Sequence, residues 1–177
     1  MSWSDVTPAK AGVRFLAAAR VTVAALLLAS CGFQLRGDPA VGLKTINVIA
    51  VSGAPGTLQE VKRMLATGPT KVVNDVKDAE AQLRFLEERR DKMVHTITGS
   101  GRVYDFQLRL TVRYDVLIPG HETPLVEPTE VIATRLLTYS ESAPTAKEAE
   151  EQLLYKDMQA DIAGRILRHI AVVKRET

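Results

Sequence analysis

RVYDFQLRLTVRYDVLI, residues 102–118, alternates between two kinds of side chain. Tyr104, Phe106, Leu108, Leu110, Val112, Tyr114, Val116 and Ile118 occupy the even positions. Asp105, Gln107, Arg109, Thr111, Arg113 and Asp115 lie between them. A period of two means a β-strand with one apolar face and one wet face. Tyr104 to Ile118 would span roughly 50 Å at about 3.3 Å per residue, long for a strand. A slip of one residue would turn every apolar side chain to water, so the register is strongly set. Pro119-Gly120 ends the strand, and Gly99-Ser100-Gly101 before it reads as a turn.

Working outward, Ala81, Leu83 and Phe85 alternate with Gln82 and Arg84, which starts a strand expected to run with a kink to Thr98. Thr129 to Tyr139 reads as the returning strand. Further upstream, Lys44 to Val51 is β-branched and apolar, a first strand. Thr70 to Val73 has the composition of a short one. Leu58, Val61, Met64 and Leu65 have helical spacing, with Thr57 and Glu60 placed as a capping box and Gly68-Pro69 as the stop. Near the C-terminus Thr145 and Glu148 repeat the capping-box spacing. Leu154, Met158, Ile162, Ile166, Ile170 and Val173 then mark one face of a long helix. The expected fold is α+β: a two-layer sandwich with a sheet of about four largely antiparallel strands. Two helices pack on one face of that sheet, and its other face is open to water or a partner.

The N-terminal segment has a different character. Lys10, Arg14 and Arg20 precede the uninterrupted apolar run Val21 to Ala29, and Leu28-Ala29-Ser30-Cys31 follows. A positive region, a short apolar region and small residues before a cysteine compose a secretory signal with a lipobox. A transmembrane span needs about 20 apolar residues, and Arg20 on one side with Arg36 and Asp38 on the other leave too few. Cys31 is thus expected to carry S-diacylglycerol and, on its new amino group, an N-acyl chain. Several chains hold a protein on a membrane far more firmly than one, at about 0.8 kcal/mol per buried CH₂. Gly32 stands where an aspartate commonly retains lipoproteins at the inner membrane, which points to the outer membrane. The expected division is residues 1–30 as cleaved signal peptide, 31–43 as lipidated tether and 44–177 as one domain.

Cleavage changes the charge. The chain has 23 basic and 21 acidic residues. Residues 1–30 hold Lys10, Arg14 and Arg20 against Asp5, so the remainder is formally neutral. A neutral domain gives no broad electrostatic case for nucleic acid. A single cysteine excludes an internal disulfide, so stability must come from the core. His95, His121 and His169 are scattered, without a carboxylate or cysteine at ligand spacing, so no metal site is expected. No nucleophile elbow, phosphate loop or zincin motif is present. No catalytic residue is assigned and no cofactor is expected beyond the covalent lipid. Glu87-Glu88 beside Arg89-Arg90 reads as a solvated face. Arg102, Arg109 and Arg113, on or beside the wet face of the long strand, and Lys147, in the first turn of the last helix, are either ordinary surface charge or a site for an anionic lipid head group.

Cys31-Gly32-Phe33-Gln34-Leu35-Arg36-Gly37 resembles the start of the mature LptE lipoproteins. The long strand from Tyr104 to Gly120 and a final helix opening with Ala146-Lys147 and Glu151-Gln152 are similar too. This resemblance covers most of residues 31–177. It implies a lipopolysaccharide-assembly lipoprotein that plugs and helps assemble an LptD-type β-barrel in a one-to-one complex. It also implies transport of lipopolysaccharide to the outer leaflet, and a location lipid-anchored on the periplasmic side of the outer membrane. For lipopolysaccharide binding, Lys147 matches the family's basic position at the start of the last helix. A second basic position falls at Gly99-Ser100, with Arg102 three residues away as a substitute. Two other readings stand beside it. A stand-alone lipid-binding lipoprotein would not co-purify with a barrel. An envelope enzyme or enzyme activator lacks motif support.

Overall fold

The computed structural model describes residues 41–101, 103–139 and 144–176. Cys31, the lipobox residues Leu28, Ala29 and Ser30, and Arg102 lie outside them. The long strand forms as β4 (Val103–Leu117), between β3 (Ala81–Ile97) and β5 (Val126–Thr138), both antiparallel to it. β1 (Thr45–Ala50) runs parallel to β3, and β2 (Lys71–Val73) parallel to β1. The sheet order is β2-β1-β3-β4-β5. The sheet is therefore five-stranded and mixed, where about four largely antiparallel strands were expected. The short Thr70–Val73 segment is a full member of it. Helix α1 (Gly56–Thr67) links β1 to β2, and a chain that returns through a helix pairs its second strand parallel to the first. A 3₁₀ turn, Val76–Asp78, leads into β3.

Both helices, α1 and the long α2 (Pro144–Glu176), cover the same sheet face. Leu58, Val61 and Leu65 of α1 and Met158, Ile162, Ile166 and Ile170 of α2 are buried at the expected helical spacing. Beneath them lie Ile46, Val48, Leu83, Phe85 and the even positions of β4 from Leu108 to Val116, all buried. Val41 and Leu43 also belong to this core, so part of the span read as tether is packed.

The expected Thr57–Glu60 capping box is absent. The residue at the α1 N-cap is Pro55, which has no side-chain cap, and Glu60 instead pairs with Arg63. The helix start is held from outside, by Glu88 of β3. Its carboxylate accepts from the backbone N–H of Gly56 (3.2 Å) and Thr57 (2.9 Å) and from Gln159 Nε2 of α2 (3.0 Å). A negative group here also suits the helix dipole. Gly56 leaves room for this close packing: a Cβ there would overlap the Gln159 amide and force that side chain to move. Thr145 lies inside the first turn of α2, so it is not the cap of that helix.

β3 carries the largest departure from simple alternation. Ala81, Leu83 and Phe85 face the helices. Phe85 pairs with Tyr114 and Glu87 with Arg113, so Leu86 is an extra residue in a β-bulge. Beyond it the even residues Glu88, Arg90, Lys92 and Val94 share the helix side with Val112, Leu110, Leu108 and Phe106.

Candidate functional site

The odd positions of β4 form the centre of the open sheet face. It is a charge mosaic. In register, Arg113 is flanked by Glu87 and Glu130, and Arg109 by Asp91 and Thr134. Arg89 pairs with Asp91 at 3.2 Å. Not all of this face is wet, as the alternation suggested. Asp115 is buried because Arg84 grips it bidentately, Nε to Oδ1 at 2.8 Å and Nη2 to Oδ2 at 2.6 Å. That hydrogen bond raises the Arg84 pKa further above its ordinary value. Asn47, buried on the same face, donates to the carbonyls of Val73 and Asn74 and fastens β2 to β1. Two groups in the middle are left over: Arg109 Nε and Thr111 Oγ1 are buried and have no hydrogen-bond partner among the described residues. A buried polar group without a partner costs about 1–3 kcal/mol, which an incoming ligand or protein could recover.

The second surface is the end of β3, β4 and β5 beyond the start of α2. Met93, Val94, Ile97, Tyr104 and Leu136 are 41–61% exposed there. Exposed apolar side chains in such a group mark an interaction surface. Cations ring it on the helix side. Lys92 Nζ stands 4.5 Å above the Phe106 ring and bonds Glu151 of α2 at 2.6 Å. Phe106 meets Tyr139 edge-on at 5.6 Å. Arg90 lies 5.0 Å over the Tyr155 ring, and burial raises the Tyr155 phenol pKa. Lys147 sits one turn before Glu151 and pairs with Glu150 at 2.8 Å.

Of the four basic residues singled out from the sequence, Arg109 and Arg113 therefore share the open face. Lys147 belongs to the helix side, next to the apolar end, and Arg102 is outside the described residues. Arg90 and Lys92 were hidden in the sequence by the Leu86 bulge. Glu88 and Arg90, read with Glu87 and Arg89 as a solvated face, instead hold α1 and stack on Tyr155. A cleft of about 340 Å³ beside them is lined by Ser52 to Gly56, Glu87, Glu88 and Arg90. The Glu88 carboxylate already takes the Gly56 and Thr57 N–H groups there and repels an incoming anion from the start of α1. Among the described residues no group of three or more His, Cys, Asp or Glu could hold a metal ion. None of their helices is long and apolar enough to cross a membrane.

The same α+β fold is taken by a group of solved bacterial lipoproteins. The solution structure of an uncharacterized lipoprotein B from Nitrosomonas europaea superposes with a TM-score of 0.69 at 31% identity, covering 81% of this chain and 93% of that one. A rare lipoprotein B from Shewanella oneidensis shares the fold, with a TM-score of 0.65 at 22% identity over 75% and 97% of the two chains. The sequence profile described as LptE, lipopolysaccharide-assembly, matches residues 43–170. LPS-assembly lipoproteins LptE from Yersinia enterocolitica and Pectobacterium atrosepticum are 31% and 27% identical to this chain. Each alignment covers 85% of it, and 73% and 82% of the respective relative. The chain belongs to the LptE family of lipopolysaccharide-assembly lipoproteins.

Proposed function

We propose that this LptE-family protein is anchored through lipidated Cys31 to the periplasmic side of the outer membrane. There it plugs and helps assemble an LptD-type β-barrel, one copy to one barrel, and takes part in moving lipopolysaccharide into the outer leaflet. The open sheet face carries this reading. Its interleaved Arg84, Arg89, Arg109, Arg113 and Asp91, Glu87, Glu130, with Arg109 Nε and Thr111 Oγ1 unpartnered, suit the polar lumen of a barrel. An apolar core partner would leave those charges stranded. Co-purification tests it. The lipidated protein should bring out a large barrel protein in one-to-one amount. Arg109→Glu with Arg113→Glu should lose that barrel while thermal unfolding of the free protein is retained. A stand-alone lipid-binding lipoprotein would come out with no barrel at all.

Lipopolysaccharide itself fits the other surface, where Lys92 and Lys147 border exposed Val94 and Tyr104. Cations match its phosphates and the apolar strand end its acyl chains. Lys147→Glu with Arg102→Glu is expected to weaken lipopolysaccharide pull-down several-fold without unfolding the domain. Unchanged pull-down would remove this site. Depletion of the protein should also strip lipopolysaccharide from the cell surface.

A further inference from the structure

Val41 and Leu43 are packed in the core, and Lys174, in the last turn of α2, lies against Gly42. The same end holds the starts of β1 and β2, where the Lys71 N–H donates to the Lys44 carbonyl at 2.9 Å. Lys44, Lys71, Lys174 and Arg175 are thus gathered at the root of the tether. Elsewhere cations are commonly paired: Arg63 with Glu60, Arg84 with Asp115, Lys92 with Glu151, Arg165 with Asp161. These four have no ion-pair partner among the described residues. The Glu80 carboxylate also lies at this end, its Oε2 accepting from the Lys44 backbone N–H, and its single charge leaves the four cations net positive. Val72 and Val172, 36% and 50% exposed, stand beside the cations. From Cys31 to Val41 the chain can span at most about 35 Å. The unpaired cations are therefore held within a short leash of the position expected to carry the lipid.

We propose that this end of the domain is a membrane-contact surface. Lys44, Lys71, Lys174 and Arg175 take the phosphates of anionic phospholipid in the leaflet that holds the anchor. The proposal rests on lipidation of Cys31. Basic residues beside an anchor are drawn to an anionic surface, and the attraction falls away within a Debye length. It would fix how the tethered domain stands on the membrane, a task separate from both surfaces described above.

The test is lysine acylation of the full lipidated protein, read by mass spectrometry, in vesicles of phosphatidylcholine alone or with phosphatidylglycerol. Lys44, Lys71 and Lys174 should react about fivefold more slowly on the anionic vesicles, and high salt should remove the difference. Lys156, in the middle of α2 about 27 Å from Lys174 along the helix axis, should react equally on both. Lys44→Glu with Lys71→Glu should abolish the protection of Lys174. Equal rates at all three lysines on both vesicles, in protein whose intact mass shows the acylated Cys31, would overturn the membrane-contact surface alone. An intact mass with unmodified Cys31 would overturn the tether reading and this proposal with it.

Discussion

Glu88 reaches across from β3 to serve α1, which has no side-chain cap of its own. Glu88→Ala should cost about 1–2 kcal/mol in urea unfolding, the usual size of a lost cap, since it frees two helix N–H groups and the Gln159 amide together. Arg84 and Asp115 are more sensitive. Arg84→Ala strands a buried carboxylate and should cost about 3–5 kcal/mol, while replacing both residues with apolar ones of similar size should recover most of the loss. Tyr114 adds a pH dependence. It is buried in the core with its hydroxyl 2.6 Å from His169 Nδ1, and burial pushes its pKa up to about 12 from 10.0. The folded state thus holds the phenol proton more tightly than the unfolded chain does. The stabilisation is complete below the unfolded value and is lost as pH rises from there through the folded one. Urea midpoints should accordingly fall more steeply above pH 10 in the native protein than in Tyr114→Phe, by up to about 1.4 kcal/mol per pH unit. None of these three partnerships was readable from sequence. Each joins residues 31 or more positions apart, and local spacing carries no record of such pairs.

At the scale of elements, the bulge at Leu86 decides which half of β3 faces what. Before it odd residues face the helices, and after it even ones do as far as Val94, where a second shift follows. Because Leu86 is the extra residue, deleting it leaves the face of every other β3 residue unchanged, and cooperative unfolding should persist with a modest fall in melting temperature. Deleting Arg89 instead should turn Arg90 and Lys92 to the open side. That removes their contacts with Tyr155, Phe106 and Glu151, so melting should fall much further. β4 was legible from end to end because its apolar residues keep one period without interruption. The kink in β3 was visible but not its position: Glu87-Glu88-Arg89-Arg90-Asp91 is charged throughout, so either register looks the same. The chain's return was also underestimated, since β5 begins at Val126 and carries Pro128 at the sheet edge, where a missing N–H costs little.

Across the whole molecule, the helices cover one face of the sheet and stop short of the far end of β3 and β4. At about 3.3 Å per residue, β3 alone is roughly 56 Å long, and its last turns of sequence have no helix above them. The apolar side chains left there gain nothing for the isolated fold. Leu136→Glu with Ile97→Glu should therefore shift the free protein's stability by no more than about 0.5 kcal/mol, as surface substitutions do, yet weaken lipopolysaccharide pull-down several-fold. Unchanged pull-down would take this end out of lipid binding.

The sequence by itself determined the strands of the long hairpin, the two amphipathic helices, the neutral charge of residues 31–177 and the resemblance to LptE, because each is written in local periodicity, composition or a contiguous motif. It also singled out Lys147, Arg109 and Arg113 as cations of interest. Only the tertiary structure decided that the sheet is mixed, that Arg109 and Arg113 lie opposite Lys147, and that Arg90 and Lys92 join the helix side. The reason is physical. Which strand pairs with which, and where a bulge forms, are settled by the packing of the whole core, and in a charged stretch one residue of register changes the face of every side chain that follows.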